Sequence, residues 1–176
     1  MKRCSGVPPS ILISVFTQLP LLQDLRVKGI PSAAMPSIMA CLPNLISLDT
    51  EYEQHGNYRL PSTPLPRLQR LTIRTSSVDV FGPDKLWLWT CSLIPHEGSL
   101  QSFSLESFAI QGQIAIPLAF VTRLIRRHGR SLTQFRVGIA QVAPEALVYL
   151  CLDCPALESL ECSVASADVV RQWTLS

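Results

Sequence analysis

Six times along the chain, a leucine is followed three residues later by leucine or phenylalanine, and two residues after that by an apolar residue or threonine. The six triplets are Leu22, Leu25 and Val27; Leu45, Leu48 and Thr50; Leu68, Leu71 and Ile73; Leu100, Phe103 and Leu105; Leu132, Phe135 and Val137; and Leu157, Leu160 and Cys162. The first leucines are spaced by 23, 23, 32, 32 and 25 residues. In extended chain, residues two apart share a face. Leu25 and Val27 therefore point one way, and Asp24, Arg26 and Lys28 the other. A single strand of this kind cannot bury its own apolar face. The six are expected to stack in parallel, so that their leucines form one continuous core.

The segments between triplets read mostly as helices, because their apolar residues recur with helical spacing. Residues 34–42 place Ile38, Cys41 and Leu42 on one face. Residues 84–94 do the same for Leu86, Thr90 and Leu93, with Trp89 beside them. Trp87 and Trp89 diverge on that helix, which puts one in the core and leaves the other partly exposed. Residues 116–128 align Leu118, Val121, Leu124 and Ile125. Pro144 opens a further helix with Glu145 in its first turn and Leu147, Leu150 and Cys151 facing inward. Glu51 to Pro64 is polar and proline-bearing and is expected to cross without a full helix. Ser10 to Gln18 reads as the helix of a preceding unit. Ser166, Ala167 and Asp168 read as a helix start, with Val169, Val170 and Trp173 inward.

A strand followed by a helix at this period is the signature of leucine-rich repeats, whose units run to roughly 20–29 residues. The expected fold is an α/β leucine-rich repeat solenoid. Its parallel strands would form the concave face and its helices or irregular segments the convex face. Residues 1–176 form one domain of about six repeats. Neither end carries a clear polar cap, which fits a piece of a longer solenoid.

Composition narrows the function classes. Hydrophobic residues make up 47% of the 176 residues and charged ones 16%, so disorder is not expected. A net charge of +2 argues against a nucleic-acid partner. The longest apolar stretch, 114–125, is broken by Pro117 and Arg123, so no membrane span is expected. Cys4, Cys41, Cys91, Cys151, Cys154 and Cys162 are mostly isolated among apolar residues, which suits a reducing, intracellular compartment, cytoplasmic or nuclear. Cys151 and Cys154 lack the second pair that a zinc site wants and read as core or turn residues. His55, His96 and His128 are scattered. No nucleophile elbow, glycine-rich phosphate loop or paired metal-binding histidines occur, so the chain is not expected to be an enzyme or to hold a cofactor or metal. Arg123, Arg126, Arg127, His128 and Arg130 form the densest basic cluster. It reads either as a patch for an acidic partner or as a helix C-terminus closed by Gly129.

The units Cys41–Leu48 and Cys154–Leu160 resemble the cysteine-containing leucine-rich repeats of F-box proteins. The uneven repeat lengths and the run Leu86, Trp87, Leu88 and Trp89 resemble the divergent F-box-like proteins of fungi. In that family the F-box docks on a ubiquitin-ligase scaffold and the repeats select the substrate. No F-box is visible in this sequence, so the resemblance implies only the partner-recognition role. The expected partner is a protein, and the expected surface is the outward row of strand positions. Its charged members are Asp24, Arg26, Lys28, Asp49, Glu51, Arg70, Arg74, Glu106, Arg136 and Glu161. Basic and acidic residues balance, which suits a protein surface. The alternative is a structural or truncated solenoid fragment with no binding activity of its own.

Overall fold

A computed structural model describes residues 7–30, 34–52, 65–75, 83–96, 100–107 and 115–165. The segments 53–64 and 166–176, for which a helix-free crossing and a final helix are expected, lie outside the described residues. The helices are α1 (Pro9–Thr17), α2 (Met35–Ala40), α3 (Pro83–Leu93), α4 (Leu118–His128) and α5 (Pro144–Asp153). The strands are β1 (Asp24–Val27), β2 (Ser47–Tyr52), β3 (Arg70–Thr75), β4 (Ser102–Ser107), β5 (Gln134–Val142) and β6 (Ser159–Val164). Each strand falls on one of the six triplets.

All six strands are parallel and lie in one sheet in sequence order, β1 to β6. The register aligns like with like. Leu25 pairs with Leu48, Leu48 with Leu71, Leu71 with Phe103, Phe103 with Phe135, and Phe135 with Leu160. One backbone device recurs at every step. The carbonyl of Gln23 accepts the amides of Ile46 and Ser47, and that of Ile46 the amides of Gln69 and Arg70. Gln69, Gln101 and Thr133 repeat it for the next three strands.

Parallel sheets are usually covered on both faces, and their strands are then apolar throughout. These strands instead alternate, and in β2 every second residue is buried. One face is therefore sealed and the other open. The helices seal the first. Tyr52 of β2 packs on Trp89 of α3 with ring centroids 5.3 Å apart, and Phe103 of β4 on Phe120 of α4 at 5.4 Å. Thr50 of β2 donates its hydroxyl to the sulfur of Met35 in α2. Strands in sequence order with helices on one side give a chain wound always the same way, as in α/β solenoids. Among the described residues, no helix is long and apolar enough to cross a membrane.

Several helix positions differ from the periodicity reading, for one reason. A helix in this layer touches the sheet and also its neighbouring helices, so more than one stripe is buried. Trp87 and Trp89 are both buried, Trp87 against Phe120 at 4.8 Å, while Leu88 between them faces solvent. Leu118 is exposed and Phe120 takes its place in the core. Cys151 is exposed, and Ala146 lies inside with Leu150. Gly129 follows α4 in right-handed helical geometry, so no left-handed cap requires it. A Cβ there would lie 2.5 Å from the Asp153 carbonyl oxygen and 2.7 Å from that of Ile125, so glycine is set by close approach to α5.

The buried columns predict an uneven mutational cost. Leu71 is fully buried between Leu48 and Phe103, whereas Leu160, in the last of the described strands, is 41% exposed. Leu71→Ala is expected to lower stability by about 2–5 kcal/mol in urea unfolding, and Leu160→Ala by less than half as much.

Candidate partner-binding face

The open face consists of rows running across the strands. One row is Asp24, Ser47, Arg70, Ser102, Gln134 and Ser159. The next is Arg26, Asp49, Thr72, Ser104, Arg136 and Glu161. A third joins Glu51, Arg74 and Glu106. Lys28 is exposed one residue past β1. The charged candidates within the strands thus share one side of the sheet, and much of their charge is paired within the chain.

Arg74 is the hub. Its Nε and Nη2 donate to the two oxygens of Asp49 at 2.6 and 2.8 Å, and its Nη1 lies 2.7 Å from Glu106 Oε2. Arg26 reaches the same Asp49 at 3.1 Å. The Arg74 side chain is only 14% exposed. The hydrogen bond to Asp49, with the fields of Asp49, Glu106 and Glu51, raises its pKa despite some desolvation. A bidentate pair of this kind fixes both partners. Arg70 spans a whole strand to meet Asp24 at 2.7 Å, which the small Ser47 between them permits.

The β5–β6 side is less tied. Arg136 is 3.9 Å from Glu161 and makes long bonds of 3.3 and 3.4 Å to Ser159. Gln134 bridges to it: with its amide nitrogen donating to Ser102 Oγ, its oxygen accepts from Arg136 Nε at 2.8 Å. Beside them β5 is irregular. Its register to β6 shifts between Arg136 and Gln141, and Gly138 has φ of +54°. This is a bulge, with glycine at the left-handed position. Between the Arg136 and Gln141 pairs β5 advances five residues and β6 two, and the three extra residues turn Ile139 to the open side, where it is 54% exposed. Glu106, Arg136, Gly138, Ile139 and Glu161 line a depression of about 350 Å³ on this face. Ile139 was absent from the alternation reading. Gly138 inside a strand pattern was the available signal, since an isolated glycine there marks a bulge.

The basic cluster lies elsewhere. Arg126, Arg127 and Arg130 line a cleft of about 670 Å³ with Tyr149 of α5, and no strand residue contributes to it. Although larger, this cleft is less distinctive, because basic residues in the last turn of α4 are favoured by the helix's own carbonyls. His128 does not belong to the patch. It is buried, and desolvation lowers its pKa below the usual 6.5. The Pro95 carbonyl favours its charged form, yet neither ring nitrogen makes a well-formed hydrogen bond. Cys41, Cys91, Cys151, Cys154 and Cys162 are free, and burial pushes up the pKa of Cys91, Cys154 and Cys162. Among the described residues, no three His, Cys, Asp or Glu side chains are grouped to hold a metal.

The pairing geometry separates structural from available charges. Arg74→Ala takes the shared partner from Glu106 and leaves Asp49 with Arg26 alone, and is expected to cost about 1–2 kcal/mol in thermal or urea unfolding, with a smaller loss at high salt. Arg70→Ala breaks a pair exposed at both partners and is expected to cost less than about 0.5 kcal/mol. Comparison with protein-family models, curated proteins and solved structures finds no match to this chain.

Proposed function

We propose that this chain is a leucine-rich repeat module that binds a partner protein on the open face of its sheet. The observation that carries this reading is the depression around Arg136, Ile139 and Glu161. It combines an exposed apolar side chain with two loosely paired charges of opposite sign. A centre that can be desolvated, ringed by polar groups, is the usual anatomy of a protein-binding patch. The β1–β4 side serves differently. Its charges are held by Arg74 and Asp49, so it presents an ordered polar surface to a partner seated on the depression. The resemblance of Cys41–Leu48 and Cys154–Leu160 to repeats of F-box proteins supports a specific form of this role. The face would select substrates for an F-box-type ubiquitin ligase.

The test introduces a photo-crosslinking residue at Ser104, on the open face, and at Arg126, on the helix side. Adducts with one defined protein are expected from Ser104 and not from Arg126. Ile139→Glu and Arg136→Glu are each expected to weaken that partner's binding at least tenfold, about 1.4 kcal/mol, without changing the melting temperature. The partner is further expected to accumulate in cells when ubiquitin transfer is blocked. Adducts from Arg126 alone would place binding on the helices instead. Unchanged partner levels would leave a binding module outside ubiquitin ligation.

A further inference from the structure

We propose that the cleft between α4 and α5 is a second binding site, separate from the open face, and that it takes a small molecule carrying a chain of linked phosphates. Arg123, Arg126, Arg127 and Arg130 follow one another at intervals of three, one and three residues. On a helix such positions share one side, and these span about 10 Å along the axis. Gly129 keeps right-handed helical geometry past the end of α4, so Arg130 stays in line with the other three. Arg126, Arg127 and Arg130 line the cleft of about 670 Å³, with Tyr149 and Asp153 of α5 across from them. Arg123, Arg126 and Arg127 line an adjoining hollow of about 590 Å³. The four guanidinium groups thus border one continuous depression.

Their charge has no counterpart of the kind found on the sheet. Every ion pair among the described residues lies on the open face, and none includes an arginine of this stripe. Arg127 Nη1 lies 3.3 Å from Nδ1 of His96, and Arg123 is beside the Cys91 thiol, which burial keeps protonated. Neither neighbour is a carboxylate. Like charges three and four residues apart on a helix repel each other. The carbonyls that end α4 favour cations in its last turn, which accounts for Arg126 and Arg127 but not for Arg123, one turn earlier. A stripe of guanidinium groups held together against their own repulsion is matched by a bound polyanion.

Size and charge distribution select the polyanion. A single carboxylate or phosphate would engage one end of the stripe, whereas linked phosphates run along it and meet each planar guanidinium fork with two oxygens. The cleft is of the size that encloses small organic ligands, roughly 300–1,000 Å³. Nucleic acid would need a basic path that continues beyond the stripe. Outside α4, the described helices carry one cation, Lys85 of α3. The charge is therefore local, on the scale of a small molecule. The exposed ring of Tyr149 shares the cleft and offers a face on which a planar base can stack. Asp153 is an acid on the same wall, and it sets a limit on how far a phosphate chain extends toward α5.

The experiment is isothermal titration calorimetry of the full chain with inorganic triphosphate and, separately, with adenosine triphosphate, at low ionic strength. Saturable binding of one triphosphate per chain is expected, and it weakens as salt is raised. The double variant Arg126→Gln, Arg130→Gln is expected to weaken it by about tenfold or more. Both side chains are exposed and unpaired with acids, so the variant retains the fold, checked by circular dichroism melting. Arg67→Gln with Lys85→Gln removes the same charge outside the stripe and is expected to change binding by less than about twofold. Tighter binding of adenosine triphosphate than of triphosphate, with the gain lost in Tyr149→Ala, would assign the phosphates to a nucleotide. Equal binding of the two would assign them to a free polyphosphate. Absence of saturable binding, an equal loss in both double variants, or a single-stranded oligonucleotide bound as tightly as triphosphate would overturn the proposal.

Discussion

Everything in this molecule rests on columns of apolar side chains that run across the strands. Leu48, Leu71, Phe103 and Phe135 form one, and Leu45, Leu68, Leu100 and Leu132 another. No strand is buried by its own residues or by its own helix alone. Each of β2 to β5 is buried by the strand before and the strand after, which locks the register and leaves a step of one residue no room. The two-amide carbonyl at every junction follows from that alignment. So does the open face, because once the leucines point one way, the residues between them must point the other.

The open face then faces a problem of its own. Acidic and basic side chains from several strands are brought together by the stacking. Arg74 resolves it on the β1–β4 side by taking Asp49 and Glu106 together. On the β5–β6 side the bulge at Gly138 interrupts the pattern, and Ile139 emerges beside Arg136 and Glu161. One side of the face is thus organised by charge and the other offers an apolar centre. The proposed binding role assigns different tasks to them, order to the first and contact to the second.

The strands and the division into two faces were legible in the sequence because both depend on a spacing of two within a few residues. The triplet at Leu68, Leu71 and Ile73 places β3 without reference to any other segment. The helices were legible in position and less so in orientation. Trp87, Phe120 and Cys151 are settled by neighbouring helices rather than by their own periodicity. The ion pairs were hidden for a related reason. Arg70 meets Asp24 only because the intervening strand presents serine, and Arg74 meets Glu106 only through a register between segments 32 residues apart. The bulge left a trace in Gly138, but which side chain it turns outward depends on how β5 is held between β4 and β6.

The measurement that tests the account most directly is a map of through-space proton contacts between strands by nuclear magnetic resonance. The account predicts contacts only between strands adjacent in sequence, all parallel, with the Leu71 backbone near those of Leu48 and Phe103 and the Phe135 backbone near those of Phe103 and Leu160. Any antiparallel pair, or contact between strands out of sequence order such as β1 and β4, would contradict the winding on which the face and its charge pairs depend.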